Sequence, residues 1–158
     1  MSKSVIVAGI LLVSFAVPLK AEYSADSYRT CSACHLADGS GIPGAFPNIR
    51  NRSARMAELD GGRRYLIAVV MYGLMGAIQV DGMQYFGVMP GNAGAMSAEE
   101  IAASLNYIVF ELNDGSAELA PFTSTEVEEL QASIALKSPA GGSALRAELA
   151  EQHGDKWP

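Results

Sequence analysis

Apolar residues recur at helical spacing along much of the chain, and no segment shows the alternation of a half-buried strand. The clearest stripe predicts a helix over about 62–71 that turns this face toward a core. A shorter helix is expected to run from about Ala25 into the segment 31–35. The stripe of the longer helix consists of Leu66, Val69, Val70 and Leu74.

Two capping boxes predict the start of two further helices. Ser97 is followed three residues later by Glu100, and Thr123 is followed at the same spacing by Glu126. The helices behind them are expected to bury Ile101, Leu105, Ile108 and Leu112 in the first, and Val127, Leu130 and Ile134 in the second.

Glycine and proline mark the segments between these helices. Residues 38–47 and 85–96 are rich in glycine and are predicted to be loops, and Val80-Asp81-Gly82 is predicted to be a tight turn. After Lys137, residues 138–142 are typical of a linker, which leaves 143–153 as a peripheral amphipathic stretch. The predicted fold class is all-α.

The N-terminus is typical of a secretory signal peptide. Lys3 precedes an apolar run from Val5 to Val17, and Ala21 offers a small residue for cleavage, so residues 1–21 are predicted to be removed. The alternative is an uncleaved anchor, but the run is shorter than the roughly 20 residues that span a bilayer. No stable membrane span is therefore expected after cleavage.

The chain is acidic, with 11 Lys+Arg against 17 Asp+Glu and a formal net charge of −6. Loss of the signal peptide would remove two lysines and make the mature chain more negative. This charge argues against partners that are nucleic acids or anionic membranes. It favours a partner protein with a basic docking face, although simple solubility would produce the same composition.

The only two cysteines stand in Cys31-Ser32-Ala33-Cys34-His35, which is the attachment motif of c-type haem. In that chemistry each thiol adds to a porphyrin vinyl group and the histidine becomes an iron ligand. A disulfide at this spacing would close a small strained loop. A thioredoxin-like pair would need a βαβ context, and a zinc site would need a second ligand pair. Haem attachment also places the protein in the periplasm, because bacteria attach the group outside the cytoplasm.

The candidates for a second iron ligand are the methionines and His153. Met89 is favoured because it precedes Pro90 in a glycine-rich segment, where the fixed proline φ would stiffen the chain around the thioether. Met96 is the second candidate, and it precedes a helix N-cap where it is expected to pack as a staple. The remaining mature methionines fall in helical patterns or near turns, namely Met56, Met71, Met75 and Met83.

These motifs, in this order, make residues 23–112 resemble class I monohaem cytochromes c, and most closely the bacterial domains that accompany quinoprotein and other dehydrogenases. The resemblance implies one haem c linked to Cys31 and Cys34, with His35 and Met89 as axial ligands. The segments that carry the resemblance are Cys31 to His35, Asp38-Gly39, Gly41 to Pro47, Gly73 to Gly76, Val80 to Gly82, Tyr85 to Pro90, Met96 to Ile101 and Asn106 to Ile108.

The same resemblance assigns further roles. The carbonyl of Pro43 would accept the ring N–H of His35, while Phe46 and Tyr85 would line the haem pocket. Tyr107 would lie where the C-terminal helix of the domain crosses the N-terminal one. Leu36 stands where the family commonly has glycine.

The sequence thus predicts a cytochrome c domain at 22–113, a C-terminal helical extension at 114–136 and a peripheral tail at 137–158. The expected fold is a small helical bundle around one covalent haem. The expected function is periplasmic one-electron transfer without enzymatic activity, as a soluble carrier or a dehydrogenase subunit. The donor would be a periplasmic dehydrogenase and the acceptor an oxidase or another cytochrome. The alternatives are a haem protein that binds or senses small molecules through a labile sixth ligand, and a scaffold without haem.

Overall fold

The computed structural model describes residues 23–113, 115, 118–133 and 137–158. The predicted signal peptide at 1–21 and the predicted core position Ile134 lie outside these residues. The elements are a 3₁₀ turn Ala25–Tyr28, helices α1 (Arg29–His35), α2 (Ser53–Glu58) and α3 (Gly62–Tyr72), strands β1 (Gly73–Val80) and β2 (Met83–Pro90), helix α4 (Ala98–Asn106) with a π-helical continuation Tyr107–Glu111, helices α5 (Ser124–Ala132) and α6 (Pro139–His153), and a 3₁₀ turn Gly154–Lys156.

The predicted helices and both capping boxes are confirmed, but Leu74 lies on β1 rather than on α3, and Leu112 follows the π-helical turn and is only partly buried. Ser97 and Glu100 form a reciprocal capping box at the start of α4, and Thr123 and Glu126 form another at α5. Helix α3 begins at the predicted residue and ends one residue beyond the predicted end. Within the described ranges, no helix has the length and apolar content needed to cross a bilayer.

A β-hairpin that the sequence did not predict covers Gly73–Val80 and Met83–Pro90. Strands β1 and β2 pair antiparallel around Asp81 and Gly82, which both have positive φ angles, so the predicted tight turn is confirmed as the hairpin turn. The expected loop at 85–96 was wrong for the residues of β2. The strands escaped the sequence analysis because both faces of the ribbon are apolar, which removes the alternation that marks a strand.

The predicted peripheral tail is also wrong, because its residues form α6 and pack on β1 and α3. Ser138 caps the helix by accepting a hydrogen bond from the Gly141 N–H, and Pro139 occupies the first helical position, where proline is favoured. Gly142, which favoured a linker, lies so close to β1 that a Cβ there would be 2.6 Å from the Gly73 carbonyl oxygen. Gly142 thus permits close packing of α6 against β1.

The two ends of the predicted cytochrome domain meet as expected. The rings of Tyr28 and Tyr107 stack with centroids 5.4 Å apart, and the Ser104 hydroxyl donates to the carbonyl of Ser27. Asn106 anchors the following segment by bonding both backbone groups of Phe122, at 2.7 and 3.0 Å. The first two contacts hold the 3₁₀ turn before α1 against α4 and its π-helical continuation. A cleft lies between α1, α3 and the hairpin.

Candidate haem site

Two adjoining cavities occupy this cleft. A smaller one of about 100 Å³ is lined by Cys31, and a larger one of about 360 Å³ is lined by Cys34. Five residues line both cavities, so the two cavities form one divided space with one of the two cysteines bordering each part. The shared residues are His35, Pro47, Leu74, Ile78 and Met89.

Helix α1 presents the three residues of the motif to this space. Cys31 and Cys34 are one helical turn apart and half-buried, and His35 ends the helix as a buried residue. Burial raises the pKa of the Cys31 thiol, which opposes its ionisation. The arrangement matches the reason for the spacing, because one turn of helix directs both sulfurs and the imidazole at a single ligand.

The imidazole of His35 is oriented by a backbone carbonyl. Its Nδ1 lies 2.8 Å from the carbonyl oxygen of Pro47, so Nδ1–H donates there and Nε2 keeps its lone pair. Burial lowers the pKa of His35, and the bond to Pro47 opposes this only in part. Because burial is the larger effect, the pKa is lowered overall, which favours a neutral ring with Nε2 available to a metal.

The predicted hydrogen-bond acceptor, Pro43, was wrong. Ile42 and Phe46 form an isolated antiparallel bridge, which places Pro43 in an exposed turn at the far end of the loop. Pro47 follows the bridge and returns to the cleft. The sequence offers two prolines in the same loop, and only the bridge decides which carbonyl reaches His35.

Gly41 makes room for this carbonyl. Gly41 has a φ of 67°, and a Cβ there would lie 2.6 Å from the Pro47 carbonyl oxygen. We expect Gly41→Ala to displace the acceptor of His35, weaken imidazole ligation and lower the free energy of unfolding by about 2 kcal/mol or more. The measurement is chemical denaturation of the haem-loaded protein, together with the absorption band of the ferric iron.

Gly44→Ala is the matched control for this variant. Gly44 has a similar φ of 77°, but nothing lies within 4 Å of its added Cβ, so it carries the backbone strain without the collision. Equal losses in the two variants, with unchanged spectra, would contradict a role of Gly41 in positioning Pro47.

Leu36 adopts a strained backbone directly after His35. Its φ of 62° and ψ of 165° lie in a region that is essentially restricted to glycine, the residue common at this position in the family. The conformation is fixed because the Leu36 carbonyl accepts a hydrogen bond of 3.0 Å from the buried Tyr28 hydroxyl. The chain therefore turns sharply away from the haem motif at this residue.

Replacing Leu36 with glycine should stabilise the protein. Relief of about 1–3 kcal/mol of strain outweighs the roughly 0.5–1 kcal/mol of extra chain entropy, so we expect a net gain of about 1 kcal/mol in the free energy of unfolding. Ala37→Gly, one residue further at a position without positive φ, should instead lose stability. A destabilised Leu36→Gly variant in thermal unfolding would show that the leucine side chain matters more than its backbone.

Met89 borders the same space as His35. It lies on β2, opposite Leu74 in the register, rather than in a loop as predicted, and it lines both cavities together with His35. Met56 lines only the smaller cavity and Met75 only the larger one. Met71 is buried in the apolar core. His153 is directed elsewhere, with Nε2 2.8 Å from the Asp60 carbonyl oxygen.

Two further residues were predicted to line the haem pocket. Phe46 and Tyr85 both line the larger cavity, with Tyr85 buried and Phe46 partly exposed. Sequence reasoning missed Arg52, Tyr65 and Arg146, which line the smaller cavity. No spacing in the sequence connects these three residues, which come from separate elements and meet only in the folded chain.

This cleft suits a haem group. Two thiols stand on one helix, a buried imidazole keeps a free Nε2, and a thioether from β2 lines the same space. The rest of the lining is mostly aliphatic and aromatic, which suits a flat apolar macrocycle.

Comparison with known proteins agrees with this interpretation. Residues 21–109 match the family model described as Cytochrome c. The chain is 46% identical over 107 residues to a cytochrome c-552 of Thermus thermophilus, covering 66% of this chain and 81% of the relative. It is equally identical over the same length to a second cytochrome c-552, from a defined strain of the same organism, covering 72% of that protein. Members of this family bind haem c covalently and transfer electrons with redox partners. The chain belongs to the cytochrome c family and is a monohaem c-type cytochrome.

Proposed function

We propose that this chain is a periplasmic carrier of single electrons whose iron is ligated by His35 and Met89. One observation supports the ligand pair above others: among the methionines that line this space, Met89 alone lines both cavities, as His35 does, and the two residues come from different elements, α1 and β2. When bound, the haem supplies a reversible ferric–ferrous couple. Imidazole and thioether ligation favours the reduced state and so raises the potential.

The protein's own residues would make electron exchange fast. The Pro47 carbonyl holds the His35 ring in one orientation. Met89 lies on β2, which pairs with β1, and β1 in turn packs against α6. Rigid ligands keep the geometry similar in both oxidation states, which lowers the reorganisation needed for transfer. Apolar lining excludes water, so no other small ligand competes readily for the iron.

The larger cavity is the proposed site of exchange with partners. Its border carries exposed apolar side chains, namely Phe46, Phe86 and Val88. The proposed partners are a periplasmic dehydrogenase as donor and an oxidase or other cytochrome as acceptor. The net charge of −6 would speed encounter with a basic docking face, so the encounter rate should fall as salt is added.

The competing proposal is a haem protein that binds or senses small molecules at a labile sixth position. The absorption spectrum of the purified ferric protein, and of the dithionite-reduced protein with and without carbon monoxide, distinguishes the two. A low-spin spectrum with the weak ferric methionine–iron band and no shift with carbon monoxide is expected. A high-spin or carbon-monoxide-reactive haem would overturn the carrier proposal in favour of ligand binding.

Periplasmic export is tested separately by the mass of the protein purified from a host with haem-maturation machinery. We expect a chain beginning at Glu22 with one haem added. A haem-bearing chain that retains residues 1–21 would contradict cleavage and indicate a membrane anchor.

A further inference from the structure

One edge of the hairpin is covered by α6. The Ser143 hydroxyl donates to the Met75 carbonyl at 2.6 Å and accepts a hydrogen bond from the Met75 N–H at 3.3 Å. Further along the same strand, the Arg146 guanidinium donates to the Gln79 carbonyl at 3.0 Å. The backbone groups of Met75 and Gln79 that point away from β2 therefore have partners on α6, which blunts this edge of the sheet.

The other edge, along β2, has no such cover. Val88 stands opposite Met75 in the register, and Gln84 stands opposite Gln79. Because backbone groups alternate between the two sides of a strand, the N–H and C=O groups of Val88, Gln84 and the intervening Phe86 also point away from the partner strand. Among the described residues, none donates to these groups or accepts from them. Open backbone groups of this kind are a template for another strand.

The side chains along this open edge are apolar and exposed. Phe86 is 73% exposed and Val88 is 66% exposed, which are the highest values among the large apolar side chains that the structure describes. Met75 lies beside Val88 on β1 and is 45% exposed. The hairpin, residues 73–90, carries one charged residue, Asp81 at its turn. An apolar strand edge without charges lacks the features that prevent pairing between molecules.

A second copy of this chain fits the edge because the edge is complementary to itself. In an antiparallel pair centred on Phe86, this residue stands opposite Phe86 of the second copy, and Gln84 stands opposite Val88 of the second copy. Opposed residues then exchange backbone hydrogen bonds, and no like charges meet. A basic partner, which the net charge of −6 attracts, would find no carboxylate along β2.

We propose that two copies of this chain associate through β2 and form a continuous four-stranded antiparallel sheet. The twofold axis of such a pair is perpendicular to the sheet, so both copies keep the same face of the hairpin toward the same side. Leu74, Ile78 and Met89 line the haem cleft from one face of the hairpin. The two clefts therefore lie on one face of the joined sheet.

The pairing goes beyond the proposed function and does not depend on which residue is the second iron ligand. Clefts on one face suit electron exchange between two copies, in which one iron is oxidised as the other is reduced. Phe86 and Val88 also border the proposed site of exchange with partners, so the second copy and a partner would compete for this edge. An interface confined to one strand edge is small, so the dimer is transient rather than permanent.

Sedimentation of the haem-loaded protein from about 10 μM to about 1 mM tests the association. We expect the average mass to rise with concentration. It should rise further when salt is added, because salt screens the repulsion between two chains of net charge −6. Encounter with a basic partner has the opposite salt dependence. A protein that stays monomeric over this range at low and at high salt would overturn the inference.

Two pairs of variants locate the interface. Gln84→Pro removes an N–H at the open edge of both copies and should weaken association about tenfold, whereas Gln84→Ala keeps this N–H and should associate like the wild type. Phe86→Lys sets like charges opposite each other at the axis and should abolish the association. Gln79→Lys adds the same charge on the covered strand and should not. Equal association in both members of each pair would contradict pairing through β2.

Amide hydrogen exchange separates strand pairing from simple apolar contact. The N–H groups of Gln84, Phe86 and Val88 are open in a single copy, so their exchange should slow as the protein concentration rises. Association without slower exchange at these residues would overturn the pairing of strands. Failure of the proposed function is distinguishable, because a haem that binds carbon monoxide would overturn the carrier proposal while the concentration dependence of mass and exchange stayed the same.

Discussion

Replacing Met89 with alanine is expected to lower the reduction potential by roughly 0.1 V or more, within the roughly 0.8 V range that axial ligands control. Loss of the thioether removes the ligand that favours ferrous iron and leaves a coordination position to water. The variant should lose the weak ferric methionine–iron band and bind carbon monoxide when reduced. Spectroelectrochemical titration measures the first effect, and a carbon monoxide difference spectrum measures the second.

Two other methionines serve as controls for this prediction. Met75→Ala changes a partly exposed side chain at the larger cavity, and we expect the wild-type spectrum and potential. Met56→Ala removes the other thioether at the smaller cavity and should cost stability without changing the ligand field. A wild-type spectrum in Met89→Ala, combined with loss of the band in Met56→Ala, would transfer the ligand role to Met56.

Truncating the buried leucines of α6 is expected to destabilise the whole protein. Leu145 and Leu149 are 5% and 3% exposed, and Leu149 packs against the backbone of Gly61 before α3. Each leucine-to-alanine change should lower the free energy of unfolding by about 2–5 kcal/mol, because it removes buried methyl groups and leaves a cavity. Urea denaturation followed by circular dichroism of the haem-loaded protein provides the measurement.

Glu148→Ala is the matched control on the same helix, since Glu148 is exposed between the two leucines. Its effect should stay within about 0.5 kcal/mol. If the leucine variants unfold at the same urea concentration as Glu148→Ala, α6 contributes little to stability and the interpretation as a peripheral tail would be restored. Removal of residues 137–158 should show the combined loss.

Local patterns were sufficient for the helices and for part of the haem site. The capping boxes at Ser97 and Thr123 depend on residues three positions apart, so the sequence contains everything that forms them. The positions of Cys31, Cys34 and His35 follow in the same way, since one helical turn brings them together. The sequence shows a leucine at position 36, where the family commonly has glycine, but the strain at this residue is evident only from its backbone angles.

Contacts between distant segments were not predictable from such patterns. The hairpin was missed because apolar residues line the cleft on one face and are exposed to solvent on the other. The strands therefore show no alternation of apolar and polar residues. Helix α6 was missed because a glycine such as Gly142 is also typical of a linker, whereas here it permits close packing against Gly73.

The sequence by itself determined the family, the covalent haem, the helical class and the local order of motifs, because these depend on residues close together in the chain. The tertiary structure alone decided that Pro47 rather than Pro43 accepts the His35 hydrogen bond, since a backbone bridge sets which carbonyl turns inward. It alone brought Arg52 and Arg146 to the same cavity across 94 positions of sequence separation. Contacts between residues so far apart depend on how the helices and strands pack, and the residue spacing within a short segment does not determine that packing.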